Sequence, residues 1–149
     1  MPKNIADAYK NALNNNLNSD FEKVISFCEK DEVCRDDNSL KKNVLMFWSY
    51  KKIAVFYEKG NKYKKAYEFW QKTLEFAGKS STKINIAYKL LALLPKMRLS
   101  INDKAQEIVR ICNYLQKEYE NTGNSNNTLR ISKLREKALK LLNKSKYLH

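Results

Sequence analysis

The chain carries one histidine, His149, and it is the last residue. A histidine general base, or a nucleophile activated by one, needs an imidazole held rigidly beside its partner. Chain ends fray and do not hold one. Cysteine occurs three times, at Cys28, Cys34 and Cys112. Cys28 and Cys34 lie six residues apart, which is not zinc-ligand spacing, and no neighbouring His or Cys completes a set of four. Buried core thiols are the better reading of Cys28 and Cys112. Four carboxylates, Asp31, Glu32, Asp36 and Asp37, gather in one polar connector. They offer a metal or acid-base site, but the connector lacks the alternating oxygens and central glycine of a calcium loop. Helix capping and solvated loop charge are the better account. There is no glycine-rich phosphate loop. The expectation is a protein that is not an enzyme, with no catalytic residues, no metal and no cofactor.

A different chemistry is written in "FYEKGNKYKKAYEFW", residues 56 to 70. Lys59, Lys62, Lys64 and Lys65 flank a short break and are interleaved with Tyr57 and Tyr63. Cations between aromatic rings suit single-stranded nucleic acid, where phosphates pair and bases stack. They equally suit a helical hairpin whose tyrosines are buried. The formal net charge is +13, which attracts nucleic acid, anionic membrane or acidic protein. Residues 1–38 hold five basic and eight acidic residues, whereas residues 39–79 hold ten and three. Residues 80–127 hold seven and four, and residues 128–149 seven and one. The positive field therefore sits in the middle of the chain and at its C-terminal end. Abundant Lys and Asn also arise from an AT-rich genome, so part of this charge has a compositional origin open to it.

The elements that position these groups are helices. Only 3 Gly and 2 Pro occur in 149 residues, too few breakers for a loop-rich or all-β fold. Ile5, Ala8, Tyr9 and Ala12 recur at helical spacing. Ser19 and Glu22 form a capping-box pattern ahead of Phe21, Val24, Ile25 and Cys28. A long helix is expected from about Leu40 to Glu58, carrying Val44, Leu45, Trp48, Ile53, Ala54 and Tyr57 and ended by Gly60. The next runs from about Lys62 to Ala77 and ends at Gly78. "SST" caps a fifth helix whose "INIAYKLLALL" is apolar almost all round, a mark of a central helix. Pro95 ends or kinks it. A sixth begins at Asn102 or Asp103 with Ala105, Ile108, Val109, Ile111, Cys112 and Leu115. Thr128 caps the seventh, in which Ile131, Leu134, Ala138, Leu141 and Leu142 make an apolar stripe beside a ridge of Lys133, Lys137, Lys140 and Lys144. The chain is expected to be all-α, about seven helices in antiparallel hairpins. It reads as a single domain, 1–149: acidic helices over 1–38, a hairpin over 39–79, helices over 80–121, a flexible linker over 122–127 and a basic helix over 128–149.

The middle hairpin has a further pattern. Tyr50, Ile53, Ala54 and Tyr57 are followed, after the turn at Gly60, by Ala66 and Trp70. Over one length of about 34 residues, roughly residues 47–80, this resembles a tetratricopeptide repeat. Thr73 stands where a small Ala is usual and Gly78 near where Pro commonly closes the repeat. The flanking helix pairs carry no such signature, so an α-solenoid and an irregular helical bundle both stay open. The resemblance implies a non-enzymatic module that holds peptides or protein surfaces along its first helices. That face would include Trp48, Lys51, Val55 and Lys59. One branch of the family clamps a C-terminal carboxylate with a Lys and an Asn four residues on; Lys51 fits, and Val55 stands where the Asn would be.

The expected function is protein binding through a basic surface, as an adaptor, a chaperone or an inhibitor such as an immunity protein. The alternative is RNA or DNA binding by the same lysines and the basic C-terminal helix. The candidate contact residues are Trp48, Lys51, Val55, Lys59, Lys62, Lys64 and Lys65, with Lys133, Lys137, Lys140 and Lys144. An acidic protein or peptide is the expected partner, nucleic acid the other, and no small-molecule substrate is indicated. The N-terminal segment has no apolar leader, no run of about 18 apolar residues occurs, and the cysteine number is odd. Together these place the chain, as an expectation, in a reducing cytoplasm.

Overall fold

The computed structural model describes the backbone of residues 5–30, 39–123 and 128–147. The chain is all-α. Its described helices are α1 (Ile5–Asn15), α2 (Asn18–Lys30), α3 (Ser39–Lys59), α4 (Tyr63–Glu75), α5 (Ser80–Leu93), α6 (Ile101–Thr122) and α7 (Thr128–Tyr147), with a 3-10 turn at Leu94–Lys96. Two compact units result, Met1–Ala77 and Gly78–His149.

In the first unit α2 packs between α1 and α3, and α3 packs closely against α4. The core gathers one face from each helix: Ala8 and Ala12 of α1, Phe21, Val24 and Ile25 of α2, Met46, Tyr50 and Ile53 of α3. Ala54 and Ala66 are fully buried, so their small side chains let α3 and α4 approach. Around them the aromatics interlock. Tyr57 stacks on Phe69 with centroids 5.5 Å apart, and Tyr50 stacks on Phe76 at 5.7 Å. The Trp70 indole N–H donates to Glu58 Oε1 at 3.0 Å across the hairpin. Thr73, at a position fully excluded from solvent, satisfies its hydroxyl by donating to the Phe69 carbonyl at 2.8 Å.

The turns differ from the sequence reading in detail. Gly60 keeps a negative φ; the left-handed residue is Asn61, with φ 60°. Lys62 N–H donates to the Tyr57 carbonyl at 2.9 Å and Asn61 N–H to the Glu58 carbonyl at 3.1 Å. This is a Schellman closure with Asn in the place glycine usually takes. The Tyr63 hydroxyl donates to Asn61 Oδ1 at 2.9 Å and braces it. Helix α4 ends at Glu75, before Gly78, through a tightened last turn in which Ala77 N–H reaches the Leu74 carbonyl at 3.2 Å. Helix α2 starts at Asn18, ahead of Ser19, because the Leu17 carbonyl already accepts from Asp20 and Phe21. Ser19 is therefore inside the first turn and does not act as the cap.

In the second unit α6 is the helix that packs against both α5 and α7. The apolar α5 was expected at the centre; the long amphipathic α6 takes that place. Ile86, Ala87, Leu90 and Leu93 of α5 meet Ala105, Ile111, Cys112, Leu115 and Tyr119 of α6, with Ile131 and Ala138 of α7 completing the core. As expected, α5 ends ahead of Pro95: the α-helix stops at Leu93 and passes into the short 3-10 turn that contains the proline. Helix α5 is capped at Lys79 without a side-chain bond, one residue before the serines expected to cap it. Helix α6 starts at Ile101, where Ser100 Oγ accepts from Asp103 N–H at 3.0 Å. Gly123, with φ 72°, closes its far end.

Candidate interface

Helix α3 has two dissimilar faces. Met46, Tyr50, Ile53 and Ala54 are buried. On the opposite side Val44, Trp48, Lys51, Val55 and Lys59 follow one another at spacings of three and four, one stripe on the helix. Trp48 is 41% exposed and Val44 52%, and Phe56 beside the stripe is 57% exposed. Lys51 and Val55 are half-buried, and Lys59 is exposed. The Lys51 ammonium lies over the Trp48 indole, 4.9 Å from its centroid, and Phe47 meets the same ring edge-on at 5.5 Å. The indole is thus held in place while its remaining surface stays wet.

Of the contact residues expected from sequence, Trp48, Lys51, Val55 and Lys59 share this stripe. Lys62, Lys64 and Lys65 follow at the turn and on the first turn of α4, all exposed. Lys65 sits over the Tyr57 ring at 5.6 Å. Among the described residues, Lys59, Lys62 and Lys64 make no ion pair. Glu58, the nearest acidic residue in sequence, is engaged by Trp70. The aromatic partners of these lysines are also engaged. Tyr57 has Phe69 stacked on it and Lys65 over it, and Tyr63 spends its hydroxyl on Asn61.

Lys133, Lys137 and Lys140 are exposed on α7, whose buried Ile131 and Ala138 point the other way. The side chain of Lys144 lies outside those described. Leu134 and Leu141, read as part of the core stripe, are 37% and 38% exposed and border the lysine ridge. The carboxylates Asp31, Glu32, Asp36 and Asp37, the thiol of Cys34 and His149 lie outside the described residues, as does the side chain of Cys28. Cys112 is a free, fully buried thiol, and burial raises its pKa. Among the described residues no three His, Cys, Asp or Glu side chains gather as a metal site. No described helix is long and apolar enough to cross a membrane.

Val44 and Phe56 were not singled out as contact residues. The signal was present: Val44 lies four residues before Trp48 and eleven before Val55, on the same helical stripe. It was obscured because Val44 also fits a core position in an apolar-rich helix. No protein-family model, curated protein or solved structure matches the chain.

Proposed function

We propose that this protein is a non-enzymatic binding module that engages an acidic protein surface through the outer stripe of α3. The observation that carries the reading is Trp48: a large aromatic group held by Lys51 and Phe47 and left 41% exposed beside Val44, Val55 and Phe56. Large apolar side chains left exposed together on one helix and interleaved with charge suit an interaction surface. Tryptophan is among the residues that dominate interface energies. Lys59, Lys62 and Lys64 continue the strip and, among the described residues, are in no ion pair, so an acidic partner supplies the missing charge. An adaptor, a chaperone or an inhibitor uses such a surface.

Nucleic-acid binding is the second reading, favoured by the lysine clusters and the net charge of +13. Against it stands the engagement of Tyr57, whose face is covered by Phe69 and Lys65 and so offers no platform for a base. The lysines also lack the fork geometry with which arginine holds phosphate. Affinity capture from host lysate, with and without nuclease, separates the two. Protein retained after nuclease at about 0.15 M salt, and lost with Trp48→Ala, supports the proposal. Recovery of nucleic acid alone supports the second reading and overturns the first.

A further inference from the structure

The first unit holds a cleft of about 280 Å³ lined by Glu22 and Ile25 of α2, Tyr50 of α3, and Glu68, Phe69 and Lys72 of α4. Tyr50 lies on the side of α3 away from Trp48, so this cleft is separate from the outer stripe. Its floor is apolar and aromatic. Ile25 and Tyr50 are buried, and the Tyr50 and Phe69 rings stand 6.2 Å apart and tilted by 39°. Its rim is ionic. Glu22 and Glu68 are exposed and, among the described residues, neither carboxylate has an ion-pair or hydrogen-bond partner. Lys72 is turned along its own helix toward Glu75, at 3.9 Å. In a chain of net charge +13, the cleft thus presents two uncommitted negative charges above an aromatic floor.

We infer that this cleft receives one lysine or arginine side chain from a basic segment of a partner polypeptide. A cation with an apolar stem matches each part of it. The stem lies on Ile25, Tyr50 and Phe69, as such stems do on apolar surface. The charged head meets the aromatic rings and the carboxylates of Glu22 and Glu68. The volume is ample for one such side chain. With Glu22 and Glu68 against one Lys72 the rim is net negative, opposite in sign to the α3 stripe, so the protein presents two faces of opposite preference. A module that joins an acidic surface to a basic segment has this arrangement.

The test uses the full chain labelled with 15N and the peptide acetyl-Gly-Ser-Arg-Ser-Gly-amide, beside the same peptide with citrulline in place of Arg. The expected result is saturable shifts of the amides of Glu22, Ile25, Tyr50, Glu68 and Phe69 with the arginine peptide. The citrulline peptide, of nearly equal shape without the charge, leaves them unmoved. E22Q combined with E68Q weakens the arginine peptide by about tenfold or more. Both positions are exposed, and an otherwise unchanged spectrum of the variant shows that it folds. Phe69→Leu, which keeps an apolar floor without the ring, weakens binding as well. Equal shifts with both peptides, shifts elsewhere only, or none at millimolar peptide would overturn the inference. None of these outcomes bears on Trp48, so the α3 proposal stands or falls separately.

Discussion

At the scale of single residues, buried polar groups set the sharpest expectations. The Ser49 hydroxyl is fully buried in α3 and makes no hydrogen bond among the described residues. Ser49→Ala removes that unpaired group and raises helix propensity. It is expected to stabilise the protein by about 1 kcal/mol in denaturant unfolding; a loss of stability would show that the hydroxyl has a partner. In the second unit the Tyr88 and Tyr119 hydroxyls share a hydrogen bond at 3.0 Å. Burial, and then the Tyr119 hydroxyl, push the Tyr88 pKa up to about 12. Both effects favour the neutral phenol in the folded state. The unfolded phenol ionises near 10, so the stability held by this group is present below pH 10 and lost as pH rises from 10 to 12. Absorbance of tyrosinate followed against pH, with Tyr88→Phe as control, measures it. The variant should lose less stability over that window than the wild type. Thr73 is the complementary case: its fully buried hydroxyl is tolerated because the Phe69 carbonyl accepts it.

At the scale of elements, the α3–α4 turn depends on Asn61 in the left-handed region. Asn61→Gly should leave stability within about 0.5 kcal/mol, since glycine adopts this conformation freely and forfeits only the Tyr63 bond. Asn61→Val should cost about 1–2 kcal/mol. Equal melting temperatures for the two variants would mean that the Schellman closure does not hold the hairpin. This turn also shows what sequence makes legible. The break at residues 60 and 61, the helices either side and the small Ala54 and Ala66 were readable because period and breaker type are local signals. Which of two adjacent permissive residues takes positive φ was not, because the hydrogen-bond register of the last turn decides it. The same limit moved the start of α2 ahead of Ser19. The central place of α6 was hidden for another reason. An apolar surround on α5 reports how much of it is buried, not how many helices bury it.

At the scale of the whole molecule, charge and exposed apolar surface carry the functional reading. Trp48, Lys51, Val55 and Lys59 were grouped through the resemblance to a tetratricopeptide repeat, and α3 carries them at spacings of three and four. The cleft under Glu22 and Glu68 was not legible, since its walls come from three helices whose pairing no local pattern encodes. A net charge of +13 by itself predicts binding to any polyanion with a steep salt dependence. A packed interface centred on an aromatic anchor predicts a shallow one. The most direct measurement is the affinity of the captured partner for wild type and Trp48→Ala, each followed across salt concentration. The account predicts that Trp48→Ala weakens binding by at least tenfold, as a central anchor does, with a shallow salt slope in the wild type. Unchanged affinity in Trp48→Ala, together with a steep slope, would contradict it.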